Sequence, residues 1–405
     1  MSIQHALIAI GLSLAASVFA QSKASPIAGD VSDEARSLIE KPLTKSTAEK
    51  HWPKSGMRGI YTFSIAPIGA NTQDPGGFLK EAQFRKFKEW GVNLITVSLS
   101  VDAGSAWDVK RGTDAPPVPA DDALLPYRQN LNGLKIALHL GEKYDIKIIA
   151  AASGKIIGRS VNWKLEPGQS AGYRFEDETM KIASYIAYEF GDHPMLLGIN
   201  LMDEPNTKEE VERWQSNTIP LVTSAIRRHD TNTYILIMPA PWGLPGGFSS
   251  FTPVKDPKIV YVFHGYYPHS YVHQGIGGYV GDDYTNKSYP GGLRNFKGNP
   301  AVHIGREELE ANIAEAVAFK KKNDCIMLCG AFSVVRWAPG GAAWVKDCID
   351  IFEKHGISWS YFAYRGWNGW NPTFGAGSKG SNNSDGGEMT ERLKVLIEAW
   401  KKNTR

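Results

Sequence analysis

A chain of 405 residues with 45 basic and 42 acidic side chains is long enough for one large α/β domain and carries a formal charge of only +3. That near-neutral balance argues against nucleic acid or an anionic membrane surface as a partner. Three cysteines, all in the last third, do not make a disulfide framework, and their spacing is not that of a zinc site.

The chain opens with an apolar run, Ala6 to Phe19, too short to span a bilayer. Val18-Phe19-Ala20 before Gln21 has the small-residue spacing of a signal-peptidase site, although Met1-Ser2-Ile3-Gln4-His5 lacks a lysine or arginine. Residues 1–20 therefore read as a signal peptide, and the mature protein is expected to be secreted or periplasmic. A polar N-terminal extension, 21–55, follows, and 56–405 reads as a single domain.

Within that domain, short apolar runs predict strands at Met57 to Ile65, Val92 to Leu99, Ile146 to Ala151, Leu196 to Met202, Tyr234 to Pro239, Ile259 to His264, Ile326 to Phe332 and Trp359 to Tyr364. Amphipathic patterns between them predict helices at Phe78 to Trp90, Leu131 to Tyr144, Phe175 to Phe190, Glu209 to His229, Glu307 to Lys322 and Trp344 to His355, with Glu388 to Lys402 after the last strand. The fifth helix, between the fifth strand and the sixth, is the unclear one. Strands that are apolar on both faces and alternate with helices pair in parallel, and eight such units close into a (β/α)8 TIM barrel. Cys325 and Cys329 are four apart on one strand, about 13 Å, and cannot bond to each other; Cys348 could reach one of them.

In such a barrel the chemistry lies where each strand stops. Four ends carry candidates: Asp203-Glu204-Pro205, Pro241-Trp242-Gly243, His264-Gly265-Tyr266 and Gly330-Ala331-Phe332. Each has a plainer explanation as well: Glu204 as a helix-start acid, His264 as a core histidine, Trp242 as a loop anchor. The long stretch from Pro268 to His303, rich in Gly, Tyr and Asn, reads as a wall above the strands.

The runs LLGINLMDEPN, IVYVFHGYYPHSYVHQG and IMLCGAFSVVRWAPGGAAWVKDCIDIFEKHGISWSYFAYRGWNGW, with WGVNLITVSL on the second strand, resemble family 5 glycoside hydrolases of clan A. The resemblance implies a retaining mechanism on a β-linked glycan of glucan or mannan type, needing no metal or organic cofactor. It implies Glu204 as general acid/base and His264 and Tyr266 as the pair that lines the site and orients the nucleophile. It places Ala331 where the family carries its glutamate nucleophile, in GEF. Trp242, Trp367 and Trp370 match sugar-stacking rings more loosely.

Other departures gather around that alanine. Asp203 stands where the family has asparagine, Thr96 where it has arginine, and YFAYRGW brings Phe362 and Gly366 where close relatives have polar side chains. A retaining site needs two carboxylates about 5–5.5 Å apart, and a methyl group cannot attack an anomeric carbon. The expectation is a barrel that keeps a glycan cleft and is catalytically impaired. Two alternatives stay open: a working hydrolase with a displaced carboxylate, for which Asp282 and Asp283 are available, or a barrel repurposed for protein contacts.

Overall fold

The structure, a computed structural model, describes residues 33–62, 80–99, 128–151, 182–201, 204–205, 211–276, 287–293, 302–365, 367–380 and 384–404. Eight parallel strands close into one barrel. In chain order they are β1 (Arg58–Thr62), β2 (Leu94–Ser98), β3 (Lys147–Ala151), β4 (Leu196–Asn200), β5 (Tyr234–Ile237), β6 (Ile259–His264), β7 (Ile326–Phe332) and β8 (Ser358–Tyr364). Each lies within a run predicted from the sequence, apart from the first residue of β8, because long apolar stretches are needed where both faces are covered.

The apolar side chains divide into two layers. Met57, Leu94, Ile149, Leu197, Leu236, Met238, Val260, Val262 and Leu328 fill the barrel interior. Ile60, Ile95, Val97, Ile148, Ile199, Ile235, Phe263, Phe332 and Trp359 face outward and pack under the helices. The helices bury the stripes their spacing dictates: Glu81–Trp90 buries Phe84, Phe87 and Trp90 and ends at Gly91, whose φ of 88° suits a residue without Cβ. An added Cβ there would lie 2.8 Å from the Trp400 carbonyl oxygen, so the glycine also lets the last helix approach.

The floor of the barrel is sealed by the segment before β1. Trp52 donates from Nε1 to Ser358 Oγ at 3.0 Å, and its backbone N–H donates to the Tyr234 hydroxyl at 3.0 Å. Lys50, buried, donates to Gly191 O and Thr233 Oγ1.

Two predicted helices are interrupted, and the region of the unclear fifth holds none. Between β5 and β6 there is only a 3-10 turn, Pro245–Ser249, because Gly243-Leu244-Pro245-Gly246-Gly247 cannot sustain a helix. Its Phe248 instead meets Phe319, ring centroids 4.9 Å apart. The stretch predicted as Glu307 to Lys322 breaks at Ile313 into Arg306–Asn312 and Ala314–Asn323. The helix after β4 contains a π turn, Trp214–Thr218, whose Trp214 indole donates to Met238 O at 2.8 Å.

A buried histidine, His193, lies away from the strand ends carrying Glu204 and Ala331. His193 accepts the Met195 N–H at Nδ1 (3.1 Å), which leaves its proton on Nε2, facing Glu142 at 3.8 Å. Burial pushes its imidazole down to about 4, against the opposing pull of Glu142. The unfolded chain therefore binds this proton more tightly, so the contribution of His193 is fully present above about pH 6.5 and is lost as pH falls toward 4, on the order of 3 kcal/mol. His193→Asn keeps an acceptor but cannot titrate. The stability gap between wild type and variant in urea titrations should shrink from pH 7 to pH 4.5; a gap independent of pH would contradict this assignment.

Candidate active site

The site is built by backbone bonds that tie neighbouring strand ends together. Trp242 N–H donates to Pro205 O at 2.8 Å, His264 N–H to Gly243 O at 2.9 Å, and Gly265 N–H to Ala331 O at 2.8 Å. These three bonds link the ends of β4, β5, β6 and β7.

Glu204 sits just past β4 in the left-handed region, φ 54°, which costs a residue with a Cβ about 1 kcal/mol. Its backbone N–H meets Met238 Sδ at 3.3 Å. Gly243, φ 64°, makes room for that sulfur, since a Cβ there would lie 2.6 Å from it. The carboxylate reaches the end of β6, where Oε1 lies 2.8 Å from His264 Nδ1, within hydrogen-bond distance. Glu204 is about half exposed and His264 is buried, so a solvent-reachable acid is held by a fixed imidazole. Glu204 is within electrostatic reach of His269 as well.

Next to His264 lies Ala331. The β6–β7 register shifts between Phe263, which pairs with Cys329, and His264, which pairs with Ala331. Gly330 is the extra residue, and a Cβ on it would lie 2.6 Å from Val262 Cγ1. This glycine bulge turns Ala331 into the barrel beside His264.

The surroundings of Ala331 are apolar. It is 1% exposed and packs with Tyr61, Ala151, Phe362 and Ala363, with Tyr266 and Trp370 against the same cluster. Phe362 stands edge-on to Tyr61 (5.0 Å between centroids), Trp370 (5.4 Å) and Tyr266 (6.3 Å). Thr96, paired with Tyr61 across β1 and β2, is 4% exposed and its hydroxyl finds no partner among the described residues.

One end of the cleft is aromatic. Tyr266 lies 5.8 Å from His264 and 6.0 Å from Trp370, and Trp370 is 4.8 Å from Trp367. Two histidines that the sequence did not single out extend this wall. His273 stacks on His269 at 3.9 Å and 16°, and stands edge-on to Trp370 at 5.3 Å. Burial pushes the His273 imidazole down to about 3, so it is a neutral ring at working pH. Trp337 was also missed; its indole donates to Gln274 O at 2.7 Å, and Gln274 in turn brackets Lys287 by two bonds of 3.0 Å. Only a resemblance of loops could have signalled these residues, since no strand period reaches them.

Of the predicted site residues, Glu204, His264, Tyr266, Ala331, Trp367 and Trp370 are brought together. Trp242, 39% exposed, joins them through its backbone bond to Pro205. Asp203, Gly366, Asp282 and Asp283 lie outside the described residues. Cys325, Cys329 and Cys348 are all free thiols. Among the described residues no group of three or more His, Cys, Asp or Glu side chains could hold a metal, and no helix is long and apolar enough to cross a membrane.

The chain is thus an eight-stranded α/β barrel with an acid just past β4 and a histidine at the end of β6. Residues 57–367 match the family model of the cellulases, glycosyl hydrolase family 5, and the chain belongs to that family. Endoglucanase C of Acetivibrio thermocellus is 22% identical over 323 residues, covering 72% of this chain and 89% of the relative. Cellodextrinase A of Ruminococcus flavefaciens is 20% identical over 303 residues, covering 73% and 81%. Among solved structures, Thermotoga maritima Cel5A in complex with cellobiose superposes with a TM-score of 0.61 at 17% identity, covering 86% of this chain and 98% of that one. The cellulose synthase subunit Z of Clostridioides difficile gives 0.60 at 17% identity, covering 84% and 99%.

Proposed function

We propose that this family 5 domain binds a β-linked glycan of glucan or mannan type in its aromatic cleft and is impaired in hydrolysing it. The observation that carries the reading is the setting of Ala331: an alanine at the nucleophile position, 1% exposed and enclosed by Tyr61, Phe362, Tyr266 and Trp370. Without a covalent nucleophile the retaining route lacks its first bond-forming step, and only positioning and electrostatics remain. The 2.8 Å contact between Glu204 and His264 supports reading Glu204 as the acid/base that would protonate a leaving group.

The glycan class is supported by relatives named endoglucanase and cellodextrinase and by neighbours solved with cellobiose and mannotriose. Exposed and half-exposed indoles at Trp242, Trp367 and Trp370 suit sugar faces. Action outside the cytoplasm is proposed on the apolar run and cleavage-type spacing of residues 1–20. An active hydrolase would need a second carboxylate to replace the missing one.

Titration calorimetry with cellotetraose and mannotetraose tests the binding half. At least one should bind with micromolar to millimolar Kd. Trp370→Ala should weaken that affinity about tenfold or more, since stacked aromatic contacts are worth 0.5–1.5 kcal/mol beyond their buried area. No binding to either sugar, or an affinity indifferent to Trp370→Ala, would count against this reading.

A further inference from the structure

We propose that Arg392 is a positioning residue for this cleft: from outside the barrel it fixes the loop that carries Trp367 and Trp370, and so sets affinity without touching the ligand. The inference rests on the glycan-binding reading above.

Arg392 is the second residue of the last helix, Glu391–Trp400, where a positive charge opposes the helix dipole. It is nonetheless 5% exposed, and among the described residues it pairs with no carboxylate. A buried cation that breaks a local rule in this way needs a compensating role. Its guanidinium supplies one. Nη1 donates to Val334 O at 2.9 Å and to the Tyr361 hydroxyl at 3.3 Å, and Nη2 donates to Asn371 O at 3.3 Å and Phe374 O at 3.0 Å.

Those four acceptors come from the loop after β7, from β8 itself and from the loop after β8. Tyr361 passes the tie on, because its hydroxyl donates to Trp370 O at 3.0 Å. The two loops are also bonded directly, Arg336 N–H to Gly369 O at 2.8 Å. Trp370 then packs on Trp367, His273, Tyr266 and Phe362, the rings that line the cleft. A planar fork with five donors can span both loops at once, whereas a lysine offers one nitrogen and must release one side.

The test uses the mature chain with Arg392→Lys, Tyr361→Phe, Trp370→Ala and the double variant Arg392→Lys/Trp370→Ala. Cellotetraose and mannotetraose are titrated by calorimetry, and amide hydrogen exchange is followed over 367–376. Arg392→Lys should weaken sugar binding about tenfold and speed exchange in 367–376 by a similar factor, with β4 to β6 unaffected. The double variant should bind no more than about twofold more weakly than Trp370→Ala alone, since both act through one ring. Should Arg392→Lys fail to fold, Tyr361→Phe cuts the same tie at the Trp370 carbonyl and should act in the same direction.

Unchanged exchange in 367–376 overturns the proposal, as does a double variant whose losses multiply. Should the wild type bind neither sugar, the glycan reading fails by itself. Exchange still decides then: fast exchange in the variant keeps Arg392 as the loop's positioner, and unchanged exchange removes it.

Discussion

Ala331→Glu alone should yield a protein that hydrolyses β-glycans at least about 100-fold more slowly than a family member with its nucleophile in place, and that is less stable than the wild type. A nucleophile must be ionised, and the rings packed on this position, Tyr61 and Phe362 with Tyr266 and Trp370, offer at most neutral tyrosine hydroxyls and the Trp370 indole N–H, which hold a carboxylate less strongly than a cation would. Burial in such a pocket favours the neutral acid, and no arginine stands at Thr96 to oppose it. His264 is the one polar neighbour in register with Ala331, and its Nδ1 already serves Glu204. An uncompensated buried carboxyl group costs several kcal/mol, so a loss of about 2–4 kcal/mol in urea titrations is expected. Family-like turnover from this single change would mean that the surrounding site is intact and that the loss at Ala331 stands alone.

Phe362→His, combined with Ala331→Glu, should raise hydrolysis more than the two separate effects multiplied, by about tenfold or more. The Phe362 ring is 8% exposed and faces Tyr61 and Trp370, so exchanging it for a hydrogen-bonding ring supplies the introduced carboxylate with a donor and removes apolar contact at once. Thr96→Arg and Asp203→Asn, added to that pair, should raise the rate again, because a nucleophile works only as well as the groups that hold and ionise it. Thr96 is the harder of the two. Its side chain is buried beside Tyr61, and a guanidinium there must displace that ring. Independent effects, with each variant multiplying the rate by its own factor, would show that these residues do not form one constellation.

The barrel was legible because strands covered on both faces must be apolar throughout, and such runs recur between helical stripes. Glu204 stood out for a similar reason: it ends an apolar run, where a helix-start acid is the plainer alternative. What escaped the sequence is whatever depends on pairing register and on loops. The Gly330 bulge is what points Ala331 inward, and a lone glycine in a strand signals only that something irregular happens there. Met238 reads as one more core residue, yet its sulfur meets the Glu204 N–H. Arg392 reads as a solvated charge at a helix start, and only the convergence of Val334, Asn371 and Phe374 carbonyls gives it a buried role. The fifth helix stayed unclear in the sequence although proline and three glycines stand between β5 and Phe248, where only a 3-10 turn forms; the break at Ile313 carries no such mark.

Incubating the purified wild type and Glu204→Gln with cellotetraose and mannotetraose, and quantifying released sugars over days, tests the central claim most directly. The account predicts product formation several orders of magnitude below that of a family member carrying both carboxylates, from a protein that binds the same sugars. Ready hydrolysis by the wild type, abolished in Glu204→Gln, would contradict it and establish that another group does the work that Ala331 cannot.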